Sequence, residues 1–271
     1  MNYSLHNSES GFTLIELIVV IVIVGILAAL GGKLIMKPVT GYIDLARRTR
    51  LVDQAEMALR RMQRDVRQAL PNSIRIDGTG QYLELLHTSD GGHYRRYLDP
   101  VAGGDILDFT TADNGFDVLG TLLSPIIGQN LVVYNTSAAG TLGNAYNPVS
   151  LNRAVIAGTS TASHIDLSPA YQFNNASPFQ RFFIVDEPVT YACEGTPEVL
   201  NRYAGYGILI NQPTPPPGIA PARVTGGVSG CQFSYNPGVG QRAGLVTLQL
   251  TLSEAGETIT LLHQIHVLNA P

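Results

Sequence analysis

The sequence predicts an α+β protein in which one long N-terminal helix precedes an antiparallel, β-rich body. Three observations carry this. Residues 11–30, GFTLIELIVVIVIVGILAAL, hold a single charged residue, Glu16, and at about 1.5 Å rise per residue the run matches a bilayer's hydrocarbon core. Beyond it, Leu51, Ala55, Ala58, Leu59, Met62, Val66, Ala69 and Leu70 recur at steps of three and four, which places them on one helix face. After Pro71 the pattern changes to period-two segments divided by Gly, Pro, Asn and Asp clusters, the texture of short strands and turns. With 45% apolar and 14% charged residues, the chain can bury a core and is not a disordered tail.

Taken in order, residues 1–11, MNYSLHNSESG, form a short polar leader. A helix follows from Phe12 to about Ala69, and it stops there because Pro71 disfavours helical geometry in Leu70. Gly31, Gly32 and Pro38 mark a bend or melted turn between its apolar and amphipathic halves. Candidate strands are Tyr82–His87, Leu131–Tyr134, Arg181–Val185, Val189–Cys193, Tyr206–Ile210 and Cys231–Tyr235. The clearest β signal is GLVTLQLTLSEAGETITLLHQIHVL, a hairpin with Gly256 in its loop. Gln212–Gly218, QPTPPPG, reads as a stiff polyproline-type loop. The chain thus divides into a leader (1–11), a helix (12–70) and a β-rich body (71–271).

Charge is divided unevenly. Residues 33–75 hold ten of the 17 basic residues against Asp44, Asp53, Glu56 and Asp65, whereas residues 76–271 hold seven basic residues against 15 acids. Unlike parts of one chain, or of neighbouring copies, should therefore attract. Nucleic acid is a poor partner for the basic part, because Arg47, Arg48, Arg50, Arg60, Arg61, Arg64 and Arg67 lie among acids with no stacking aromatics.

Motifs for chemistry are few. Cys193 and Cys231 form a natural disulfide if the body is exported, contributing about 4 kcal/mol for a loop of about 38 residues; in a reducing compartment they are two buried thiols. His263 and His266 resemble a metal pair only on a helix, and in an alternating strand they point to opposite faces. The acids of DILDFTTADNGFD, Asp105 to Asp117, lack the EF-hand spacing and read as a solvated loop. GVGQRAG precedes a strand, and its spacing is wrong for a dinucleotide turn. With no nucleophile elbow, zinc-protease helix or phosphate loop, no catalytic residues, metal ligands or cofactor are expected.

Glu16 is the residue that needs an explanation, since a carboxylate inside a membrane helix costs on the order of 3 kcal/mol without a partner. The junction G-FTLIE followed by an apolar helix resembles the class III signal sequence of type IV pilins and of type II secretion pseudopilins. That resemblance implies a type IV pilin-like fold, cleavage between Gly11 and Phe12 by a prepilin peptidase, and N-methylation of Phe12. It makes Glu16 the fifth mature residue, paired in filament assembly with the Phe12 amine of an adjacent subunit. The leader departs from the family in having no Lys or Arg.

Two stretches narrow the likeness. GYIDLARRTRLVDQAEMALRRMQRDVRQALPNSIR and the C-terminal GLVTLQLTL…TLLHQIHVLNAP, with the cysteine pair, resemble minor pilins of the mannose-sensitive haemagglutinin (MSHA) pilus, which are related to J-type pseudopilins. The implied role is assembly near a pilus tip with other minor and major pilins, from an inner-membrane precursor whose body is periplasmic. A type II secretion pseudopilin shares every N-terminal feature. A membrane-anchored periplasmic enzyme is the other alternative, and the missing catalytic grouping counts against it.

Overall fold

The computed structural model describes residues 11–123, 127–195, 198–238 and 243–271, leaving aside the side chains of 32–35 and 37. The leader before Gly11, the middle of GVGQRAG and the side chains of Lys33 and Lys37 lie outside the described residues.

Helix α1 spans Leu14–Arg67, 54 residues with Pro38 inside it. The melted turn expected between its halves does not form. Proline's fixed φ is itself helical and its missing N–H removes one intrahelical bond, so strongly helical flanks can carry the chain through. The helix ends two residues before the expected stop because the next residues find other partners. Thr88 N–H donates to the Gln68 carbonyl at 2.9 Å and Leu70 N–H to the Leu86 carbonyl at 2.8 Å, while Ala69 bridges His87.

The chain forms two compact units, 1–50 and 51–271. The second takes in the amphipathic end of α1 and all the described strands: β1 (Arg75–Ile76), β2 (Tyr82–Tyr94), β3 (Asp113–Leu119), β4 (Asn130–Val133), β5 (Arg153–Val155), β6 (His164–Tyr171), β7 (Arg181–Gly195), β8 (Glu198–Ala204), β9 (Ala222–Gly226), β10 (Val228–Asn236), β11 (Gly244–Glu254) and β12 (Glu257–Val267). Nine of them make one sheet on the path β5-β4-β7-β2-β3-β6, with β1 on β2, β8 on β7 and β9 on β8; β10-β11-β12 make the other. Every described strand pairing is antiparallel.

The helical stripe is the centre of the body's main core. Leu51, Ala55, Ala58, Leu59, Met62, Val66 and Ala69 are buried with Leu83 and Leu85 of β2, Val189 and Tyr191 of β7, and the inward residues of β11, Val246, Leu248, Leu250 and Leu252. Each large aliphatic side chain buried there stabilises the fold by about 1.5–3 kcal/mol. The β11–β12 hairpin closes on Ala255 and Gly256, both at positive φ, as a two-residue turn matched to strand twist requires.

Several expected elements differ. Arg181–Val185 and Val189–Cys193 are one strand, β7, and its partner β2 absorbs the intervening Asp186–Pro188 by register shifts around Thr88. Tyr206–Ile210 is not a strand. Its carbonyls are taken by a side chain, since the Arg75 guanidinium donates to Ile210 at 2.6 Å and to Leu209 at 2.9 Å. Arg75 also pairs at 2.6 Å with Glu84, which is fully buried and accepts from Tyr206 Oη at 2.9 Å. Burial raises the Glu84 carboxyl, and the Arg75 contact opposes that rise. The last five residues of the acidic loop, Asp113 to Asp117, belong to strand β3, anchored by buried Phe116, which meets Phe182 edge-to-face at 5.6 Å in a second, aromatic core.

Candidate functional site: the N-terminal segment

Gly11 and Phe12 precede the helix outside any regular element, and both are exposed. A Cβ added at Gly11 would meet no atom within 4 Å. Thr13 stands directly before the first helical residue and caps it: its hydroxyl accepts from the Glu16 N–H at 3.3 Å, and its carbonyl from the Leu17 N–H at 3.2 Å. Thr-Leu-Ile-Glu therefore has the capping-box spacing, and the threonine's half of that motif is made. The sequence reading missed Thr13, although that four-residue spacing was in plain view. At this position the Glu16 carboxylate also faces the positive end of the helix dipole.

From Leu14 to Gly31 the helix is long and apolar enough to cross a membrane, and none of that stretch is buried. Even its least exposed large side chain, Val20, remains 44% accessible. Uncovered on every face, so much apolar surface demands lipid or neighbouring helices.

Away from this segment, the remaining expected residues fall into structural positions. Cys193 of β7 and Cys231 of β10 are joined, with Cα atoms 6.2 Å apart, and so tie the two sheets together. His263 and His266 lie on opposite faces of β12, opposite Leu248 and Leu245, so they share no metal. Asp117 bonds Arg95 at 3.2 Å and His164 Nδ1 at 3.0 Å. The Asp105 N–H, and then His164, hold its carboxyl below the usual carboxylate range. Within the body, the helix's tie to the sheet runs against the overall charge division, because it is the acid Asp65 that bonds Arg202 at 2.7 Å and Tyr191 Oη at 2.9 Å.

Residues 6–32 match the family model described as the prokaryotic N-terminal methylation motif. This is a prepilin-type N-terminus. The match takes in Gly11, Phe12, Thr13, Glu16 and the apolar helix to its end. It supports a type IV pilin-like or pseudopilin-like protein with a membrane-anchoring helix, whose processing falls to a prepilin peptidase. The order of an N-terminal apolar helix followed by an antiparallel β-rich body is consistent with a type IV pilin-like α+β fold. No curated protein and no solved structure matches the chain.

Proposed function

We propose that the protein is a minor pilin of an MSHA-type type IV pilus, MshO-like, that primes or caps assembly near the tip. The observation that supports a pilin-like subunit is a methylation motif that runs directly into a helix with its whole apolar surface uncovered; the MSHA-type assignment rests on the likeness of residues 41–75 and of the C-terminal hairpin. In this reading the precursor sits in the inner membrane with its body in the periplasm, is cut between Gly11 and Phe12, and enters the pilus with Phe12 methylated. The apolar, uncovered part of α1 supplies the filament packing surface, and the β-rich body, 71–271, selects the subunits above and below.

Glu16 sets the register. Cleavage leaves a Phe12 ammonium beside the positive end of a helix dipole, an unfavourable place for a cation. The carboxylate of a neighbouring subunit's Glu16 offsets both that charge and its own desolvation among apolar helices. Glu16→Leu should leave insertion and cleavage intact, because removing the charge eases insertion by about 3 kcal/mol, and should deplete the protein from sheared pili. Glu16→Asp should be intermediate. The check is mature protein in membranes against protein in pili, in cells lacking the native copy. Full incorporation of Glu16→Leu would turn the reading towards a membrane-anchored accessory factor.

A further inference from the structure

We propose that a groove across β2 and β7 binds an acidic polysaccharide through Arg67 and Arg181. Strand register builds it. His93 pairs with Arg181 and Gly91 with Phe183, which puts all four on one face of the nine-stranded sheet. Gly91 leaves that face low and does not tolerate a side chain, since a Cβ there would lie 2.9 Å from the Phe182 carbonyl oxygen; Gly92 faces the other side, against the Phe182 ring of the aromatic core. Two adjoining cavities, of about 420 and 540 Å³, share Thr88, Arg181 and Phe183. One runs on to His93 and the other to Arg67, Pro71 and His266.

The chemistry of the lining selects the ligand. In residues 76–271 acids outnumber bases by 15 to seven, yet this groove gathers Arg181, His93 and His266 from that part and adds Arg67 from the end of α1. Its one lining carboxylate, Asp90, already accepts from the Gly91 and Leu123 N–H groups at 2.7 and 2.9 Å. The groove therefore offers strong donors and little free acceptor. Between Phe182 and Val185, β7 is paired on both sides, with β2 and β4, so its backbone gives an incoming peptide no strand edge to extend. A peptide would bring N–H groups without acceptors. A polyuronate instead brings a carboxylate on every sugar for the planar guanidinium forks, and an apolar ring face for Phe183. The elongated shape suits several sugars in a row.

The test uses the full mature chain in detergent micelles and an oligogalacturonate hexamer, titrated by calorimetry at low salt. The hexamer should bind with an affinity that falls as salt rises, and neutral maltohexaose should not bind. Arg67→Gln with Arg181→Gln should weaken binding about tenfold or more, while Arg47→Gln with Arg48→Gln should leave it unchanged. In the parent chain, bound hexamer should shield Arg67 and Arg181 from phenylglyoxal, read by mass spectrometry, which keeps the test independent of how the variants fold. No binding at low salt, equal loss in both double variants, or shielding only at other arginines would overturn the site. Equal binding of a hexaglutamate peptide would overturn the polysaccharide in favour of an acidic protein partner.

Discussion

The two ends of α1 are made from similar apolar residues and treat them in opposite ways. From Leu14 to Leu30 no side chain is buried, whereas Leu51, Ala55, Met62 and Val66 are at most 2% exposed. The second stretch finds its partner in its own chain, the strands of the body. The first has none there, so its apolar surface is left for lipid or for neighbouring helices. Period carries the distinction: a stripe at three-and-four spacing can be covered by one sheet face, but a helix apolar all round has to be surrounded.

The two parts of α1 and the body should differ most in what their charged pairs contribute. Arg75→Met strands the fully buried Glu84 carboxylate and frees the Leu209 and Ile210 carbonyls, and should cost the body about 3–5 kcal/mol. Arg47→Met removes a pair with Asp44, whose side chain is 53% exposed, and should cost under about 1 kcal/mol. Denaturant unfolding of the two variants checks both; similar losses would mean the buried network contributes nothing special.

Next in size is packing. Met62→Ala opens a cavity at a fully buried position and should destabilise the body by about 2–5 kcal/mol. Val20→Ala, on the uncovered helix, should leave the body's thermal midpoint unchanged in detergent. A matching shift at both sites would contradict the division of labour within α1.

The smallest expected effect is in pH. His87 Nδ1 lies 2.7 Å from Asp186, and that hydrogen bond is the main cause of its raised pKa, with burial opposing it. A raised folded-state pKa gives stability that is fully present below the unfolded value of about 6.5 and is lost as pH rises through the folded value. The body's thermal midpoint should therefore fall as pH rises across that window. His87→Gln should flatten the slope in part. It should not abolish it, because His164 also titrates high: burial lowers it, but Asp117, Asp166 and Asp105 outweigh that. An unchanged slope in His87→Gln would show that the Asp186 pair contributes no stability.

Much of this was legible in the sequence where one local pattern decided the outcome. The stripe from Leu51 to Leu70 is buried throughout, and the hairpin of β11 and β12 closes at Gly256 as its turn residues indicate. The misses share a cause, which is dependence on distant residues. Tyr206–Ile210 alternates like a strand, but Arg75, more than 130 residues earlier, claims its carbonyls. Asp113–Leu119 is too acidic to read as a strand until Phe116 has Phe182 to pack against. At the N-terminal site, Gly11, Phe12 and Glu16 follow from a family likeness, whereas Thr13 is legible only from the local helix start, where its hydroxyl accepts from the Glu16 N–H.

On the proposed reading, the uncovered half of α1 is a processed segment that works outside its own chain. Mass spectrometry of the N-terminus of protein recovered from membranes and from sheared pili tests it most directly. The account predicts a chain that begins at Phe12 and carries one added methyl group, with Gly11→Val leaving an uncut precursor. An intact Met1 in assembled material, or an N-terminus beyond Leu30, would contradict it.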